Sequence, residues 1–125
     1  MRPEPDDAAR VWDMLSHARK VVRLAEGQTQ HDLFADESLR YAMERLIEIV
    51  GEAARKVSRS TQDQNPHIPW QKIVQQRHVM AHDYGDIRLD ALWRVVTIHI
   101  PALIPQLEAI VPQPPEDPLP ETENQ

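Results

Sequence analysis

Arg77, His82 and Tyr84 place a permanent cation, an imidazole and a phenol within one short stretch. Such a set can hold an anion, move a proton near neutral pH and hydrogen-bond to an oxygen. The residues from Trp70 onward read as helix. At about 100° per residue, Trp70, Ile73, Val74, Met80 and Ala81 form one apolar stripe with Arg77 at its centre. A guanidinium stays protonated, and sinking it unpaired into a core is very costly, so Arg77 must meet a buried anion or line a cleft. Tyr84 continues the stripe with a ring that packs and a hydroxyl that needs a partner when buried. One reading is structural, with Arg77 paired to a carboxylate of the preceding helix, Glu44, Glu48 or Glu52. The other is a site, with Glu48, Glu52 and His78 supporting it.

His82 follows Arg77 by five residues, about 140° around an ideal helix, so the two do not share a face of one straight helix. Either the helix end deforms or a second subunit supplies the missing group. A histidine at a helix C-terminus also has a plain role, its imidazolium favouring the negative end of the dipole. His78 and His82 do share a face at i,i+4, which invites a zinc reading. The intervening Val79-Met80-Ala81 lacks the glutamate of the zinc-hydrolase motif and no third ligand is evident, which argues against a metal.

Four helices are expected to position these groups. Val11, Leu15, Ala18, Val22 and Ala25 recur at helical steps from about residue 7 to 25, with Gly27 as the stop. Thr29 or Asp32 can cap a short turn through Phe34. Leu39, Met43, Leu46, Val50, Ala53 and Val57 make the second and longest stripe, over about 36–58, with Arg40–Glu44 and Glu52–Lys56 pairs on its outer face. Gly51 interrupts it, and close approach of a neighbouring helix is the expected reason. Residues 58–69 read as loop. Pro69 suits the first turn of the third helix, from Trp70 to about Tyr84, and Gly85 suits a left-handed stop. Asp86 or Asp90 can cap a fourth helix carrying Leu92, Val95, Val96, His99, Leu103, Leu107 and Ile110, kinked or broken near 97–101 by Pro101 and Pro105. The result is an all-α, up-and-down four-helix bundle over residues 1–110, with no strand signal and no repeat. Residues 111–125 hold five prolines and four acidic residues and are expected to form a disordered tail.

The 125-residue length suits one domain, and the absence of cysteine fits a reducing compartment. No run of about 18 apolar residues occurs and no apolar run follows the charged N-terminus, so neither membrane spanning nor secretion is expected, and a cytoplasmic location is. The net charge of −6 argues against a non-specific nucleic-acid coat, but the tail carries four of the acids. Residues 1–110 hold 14 basic against 16 acidic residues, −2, so any contact with RNA must be local.

Arg77-x4-His82-x-Tyr84 resembles the signature of HEPN-domain ribonucleases. The surroundings carry the likeness further. Arg45 to Ala54 in the second helix, Ile68-Pro69-Trp70 before the third, Arg77 to Tyr84 at its end and the closing helix from Leu92-Trp93 to Leu107 resemble HepT-type toxins in the same order, over roughly residues 8 to 110. Two departures are the contracted Tyr84-Gly85-Asp86-Ile87 and His78 in place of an asparagine or similar residue; both bear on substrate choice more than on the fold.

The resemblance implies a HEPN-like bundle that cleaves RNA, transfer RNA included, as a homodimer without metal or other cofactor, the two motifs facing each other across the subunit cleft. His82 would take the proton of a ribose 2′-hydroxyl as it attacks the adjacent phosphate. Arg77 would hold that phosphate, and Tyr84 would orient it. The resemblance also implies a toxin role, with a minimal nucleotidyltransferase as antitoxin that transfers AMP onto Tyr84. A non-catalytic helical module that binds a partner protein or nucleotide through the same cleft is the alternative, favoured by the near-neutral body and sparse aromatics. An antitoxin or scaffold whose acidic tail mimics nucleic acid ranks last.

Overall fold

Every long helix here is built on a wide apolar face, and the faces meet in one interior. The computed structural model describes the backbone of residues 5–82 and 85–111, and side chains for 6–76 and 89–111. Helix α1 spans Pro5–Ala25, α2 Gln30–Ala35, α3 Glu37–Arg55, α4 Arg59–Gln64, α5 Trp70–His82, α6 Gly85–Arg94 and α7 Ile100–Ile110, with one π-helical turn, Val95–His99, joining the last two. No strand occurs among the described residues.

Four rods make the bundle: α1, α3, α5 and the continuous α6–π turn–α7. Two contiguous clusters fill it. Near one end, Val11, Met14 and Leu15 of α1 meet Val50 and Ala54 of α3, Trp70 and Ile73 of α5, and Leu103 and Leu107 of α7. Near the other, Ala18 and Val21 meet Leu39, Met43 and Ile47, together with Leu92, Val96 and Ile100. Later residues of α1 thus meet earlier residues of α3 and of the last rod, which fixes both as antiparallel to α1. Trp70 and Ile73, at the start of α5, sit with the last turns of α3, so α5 runs back along α3. The all-α up-and-down bundle expected from periodicity is the fold observed.

Local chemistry explains the boundaries. Gly27 ends α1 at φ +75°, the left-handed conformation that glycine takes without a Cβ penalty. Thr29 caps α2 in a reciprocal box with Asp32, its N–H donating to Asp32 Oδ2 at 2.8 Å while Asp32 N–H donates to Thr29 Oγ1 at 3.1 Å. Asp36 caps α3 through Leu39 N–H at 3.1 Å. Gln30 donates to Asp90, tying α2 to α6.

Several expectations are corrected. The stretch 58–69 is not all loop: α4 lies in it, capped by Ser58. The second predicted helix stops at Arg55, not Ser58. Gly85 opens α6 instead of closing α5, which leaves Asp86 and Asp90 inside that helix and not at its cap. Arg40 reaches back to the carbonyls of Leu33 and Phe34, at 3.3 and 2.5 Å, and lies 3.9 Å from Glu37; Glu52 accepts from Arg55 at 2.6 Å. The expected outer-face pairs Arg40–Glu44 and Glu52–Lys56 thus give way to i,i+3 contacts. Near 97–101 the last rod neither breaks nor stops. Pro101 has no N–H to give and its ring crowds the carbonyl four residues earlier. The ladder widens one turn ahead of it, where Ile100 N–H donates to the Val95 carbonyl, and Thr97 Oγ1 donates to the Trp93 carbonyl at 2.7 Å. The tail expected beyond Val111 lies outside the described residues.

Candidate active site

The start of α5 is anchored by a chain of polar contacts that begins on α1. Asp7 is 3% exposed and its carboxylate accepts from Ser58 N–H at 2.9 Å, Ser58 Oγ at 2.5 Å and Thr61 Oγ1 at 2.5 Å. Burial pushes this carboxyl up; the hydrogen bonds from Ser58 and Thr61 outweigh burial and hold it below its ordinary value. Thr61 in turn offers its carbonyl to Asn65 Nδ2 at 2.9 Å, and the Asn65 carbonyl accepts from Trp70 Nε1 at 3.0 Å. Backbone bonds from Trp70 N–H to the Ile68 carbonyl, 2.8 Å, and from Ile73 N–H to the Pro69 carbonyl, 3.0 Å, complete the first turn.

This anchor sets the rotation of α5. Trp70 and Ile73 are buried, Val74 and Gln76 half-buried, and Gln71, Lys72 and Gln75 exposed. Seven residues past Trp70 the helix has returned to within about 20° of it, so the position of Arg77 falls in the middle of the buried sector. The position of His82, about 140° further round, aligns with the outward sector of Gln71 and Gln75. Both motif positions belong to α5, which is helical through His82. The side chains of Arg77, His78 and His82 lie outside the described ones, and Tyr84 lies outside the described residues altogether.

The carboxylates expected near Arg77 sit along α3, the helix that α5 packs against. Glu44, Glu48 and Glu52 are each half-buried, and Oε2 of Glu44 is shut off from solvent. Glu48 lies 3.5 Å from Arg45, and Glu52 bonds Arg55. No group of three potential metal ligands occurs among the described residues. The sequence reading missed a groove of about 510 Å³ between α5 and the last rod, bordered by Lys72, Gln75 and Gln76 on one side and Arg94 and His99 on the other. Its two walls lie too far apart in the chain for spacing to reveal them.

The described fold is an all-helical bundle whose third rod, α5, carries the positions of Arg77 and His82. Residues 14–110 match the family described as Ribonuclease HepT-like, from α1 to the last residue of α7, and the chain belongs to that family. A Methanocaldococcus jannaschii protein named as a candidate RNase is 28% identical over 105 residues, covering 84% of this chain and 96% of its own. A Thermococcus cleftensis protein named as a probable ribonuclease HepT is 28% identical over 102 residues, covering 78% and 93%. A third, from M. jannaschii, is named as a gamma-glutamylcyclotransferase and candidate RNase; it is 31% identical over 93 residues, 71% of this chain and 42% of that larger protein. No solved structure matches the chain significantly. Family membership supports a ribonuclease. No helix among the described residues is long and apolar enough to cross a membrane.

Proposed function

We propose that this chain is the toxin of a toxin–antitoxin pair, a cytoplasmic, homodimeric endoribonuclease that works without metal and is silenced when a minimal nucleotidyltransferase transfers AMP onto Tyr84. The observation that carries the reading is Arg77-x4-His82-x-Tyr84 itself, lying inside the stretch that matches the family. The rotation of α5 supports it, because a cation position inside the seam has reason to be there if a phosphate reaches it.

In the reaction, neutral His82 removes the proton of the ribose 2′-hydroxyl, a task suited to a pKa near about 6.5. The 2′-oxygen bonds to phosphorus, the bond to the 5′-oxygen breaks, and that oxygen takes up a proton as it leaves. A 2′,3′-cyclic phosphate remains. Arg77 holds the phosphate in a fork of hydrogen bonds and stabilises the charge that grows on its oxygens. Tyr84 orients the phosphate, and Glu48, Glu52 and His78 support the site from around it. Two positions on different sectors of one helix serve one phosphate most simply when two subunits meet, which favours the dimer. AMP added to Tyr84 brings phosphates beside Arg77 that compete for its charge and fill the cleft. Transfer RNA is the substrate class implied by the family resemblance.

Cleavage of RNA by wild type and His82→Ala in EDTA tests the reading. Wild type is expected to cut and leave cyclic phosphate ends, and the variant to lose roughly 10²–10⁴ in rate with an unchanged denaturation midpoint. Undiminished cleavage by the variant refutes the assignment, and loss of wild-type activity in EDTA refutes metal independence.

A further inference from the structure

The groove between α5 and the last rod has a composition that sets it apart on an acidic molecule. Among the described residues no carboxylate lines it, whereas Lys72, Arg94, His67 and His99 all do. Elsewhere Arg19, Arg40, Arg45, Arg55 and Arg59 each lie within ion-pair distance of a carboxylate. Neither Lys72 nor Arg94 forms an ion pair among the described residues, and both are exposed.

The π-helical turn assembles the second wall. Arg94 and His99 are five residues apart, which in an α-helix leaves them about 140° from each other. A turn closed by an i→i+5 bond, as between Val95 and Ile100, returns such a pair to about the same side, and both line the groove. Gln106 Nε2 donates to the His67 carbonyl at 3.3 Å and fixes the loop at one end. Toward the other end lies Gln76, the residue before Arg77 on α5. The groove therefore runs along the same helix up to the cleavage motif.

We propose that this groove holds the backbone of single-stranded RNA flanking the scissile bond, with Lys72 and Arg94 each contacting a phosphate and Gln75 and Gln76 hydrogen-bonding along the strand. The choice of RNA rests on the ribonuclease reading; the charge of the occupant rests on the groove. The contacts carry no base information, so they set affinity and register and leave sequence choice to the motif region.

The test is the affinity of a fluorescent 2′-O-methyl RNA 12-mer, which lacks the attacking hydroxyl, measured against salt. Removing two single-strand phosphate contacts in Lys72→Ala/Arg94→Ala is expected to lower the slope of log K against log salt by about 1.4. The charge-keeping Lys72→Arg/Arg94→Lys variant should retain the slope, and Lys20→Ala/Lys56→Ala, with the same change in net charge on other faces, should match wild type. An unchanged slope in the groove variant overturns the proposal, as does an equal loss in the control pair. A shift in oligomeric state by light scattering without a change in slope overturns it too, and makes the groove a contact between copies. The ribonuclease reading fails separately: wild type that binds the 12-mer through the groove but cuts no RNA sinks the catalysis and leaves the groove, whereas His82-dependent cutting with no slope effect sinks the groove alone.

Discussion

Replacing Asp7 with alanine removes the hub that ties the start of α1 to the cap of α4. Three donors lose their acceptor together: Ser58 N–H, Ser58 Oγ and Thr61 Oγ1, at 2.9, 2.5 and 2.5 Å. A hydrogen bond to a charged group contributes about 1.5–3 kcal/mol, but these three do not add. Ser58 is exposed, so its N–H and hydroxyl can turn to water, whereas Thr61 is buried and its hydroxyl cannot. A loss of about 2–4 kcal/mol is therefore expected for Asp7→Ala, and about half of that for Asp7→Asn, which keeps one acceptor and lets the hydroxyls rotate onto its amide. The pH dependence separates the charge from the shape. Because the folded carboxyl titrates below its ordinary value, its stabilisation is complete above the unfolded pKa near about 3.9 and fades as pH falls through the lower folded value. Urea denaturation of wild type and Asp7→Asn at several pH values checks this: the gap between them should be level from neutral pH to about 5 and shrink below about 4. A cost under about 0.5 kcal/mol for Asp7→Ala, or a gap that stays level into acid, refutes the reasoning.

Trp70→Phe keeps an aromatic ring but removes the Nε1 bond to the Asn65 carbonyl at 3.0 Å; that carbonyl still accepts from Ile68 N–H at 3.1 Å, so the cost in the same denaturation assay should be about 0.5–1.5 kcal/mol. Gly27→Ala meets no atom within 4 Å, so its cost should come from the backbone at φ +75° alone, about 1 kcal/mol, with no change in the denaturant slope. On the proposed reading, incubation with a minimal nucleotidyltransferase and ATP should add AMP masses to wild type and none to Tyr84→Phe by intact mass spectrometry; mass gained by that variant places the modification elsewhere.

How much of this was legible differs by element. The stripe of α3 reads off closely: Leu39, Met43, Val50 and Ala53 are buried, as is Val57 just past its end, while Leu46 is half-buried and Ile47 takes the interior beside it. On α1 the expected Val22 and Ala25 are only half-buried while Met14 and Val21 are at 0% exposure, because α1 packs on both α3 and the last rod and needs a wider face than one stripe. The short α4 has no apolar pattern; Ser58 caps it and Asp7, fifty-one residues earlier, holds that cap, a contact no local window contains. Pro101 signalled an irregularity, but a proline predicts the lost donor and not how the backbone accommodates it. At the site, the place of Arg77 on the stripe followed from periodicity, and its side chain lies outside the described ones. The cations of the groove did not follow, because Lys72 and Arg94 face each other only once the rods are folded.

The π turn also bears on how the chain tolerates changes in length. Its widened ring holds one residue more than the α repeat, and Leu92 before it, Val96 within it and Leu103 and Leu107 after it all reach the interior. Dropping a single residue between 95 and 99 would let an ordinary turn close there with the interior set still aligned on both sides. The last rod is thus a place where one residue can be gained or lost in descent while the packed seam stays in phase, and what varies is the side chains offered to the groove.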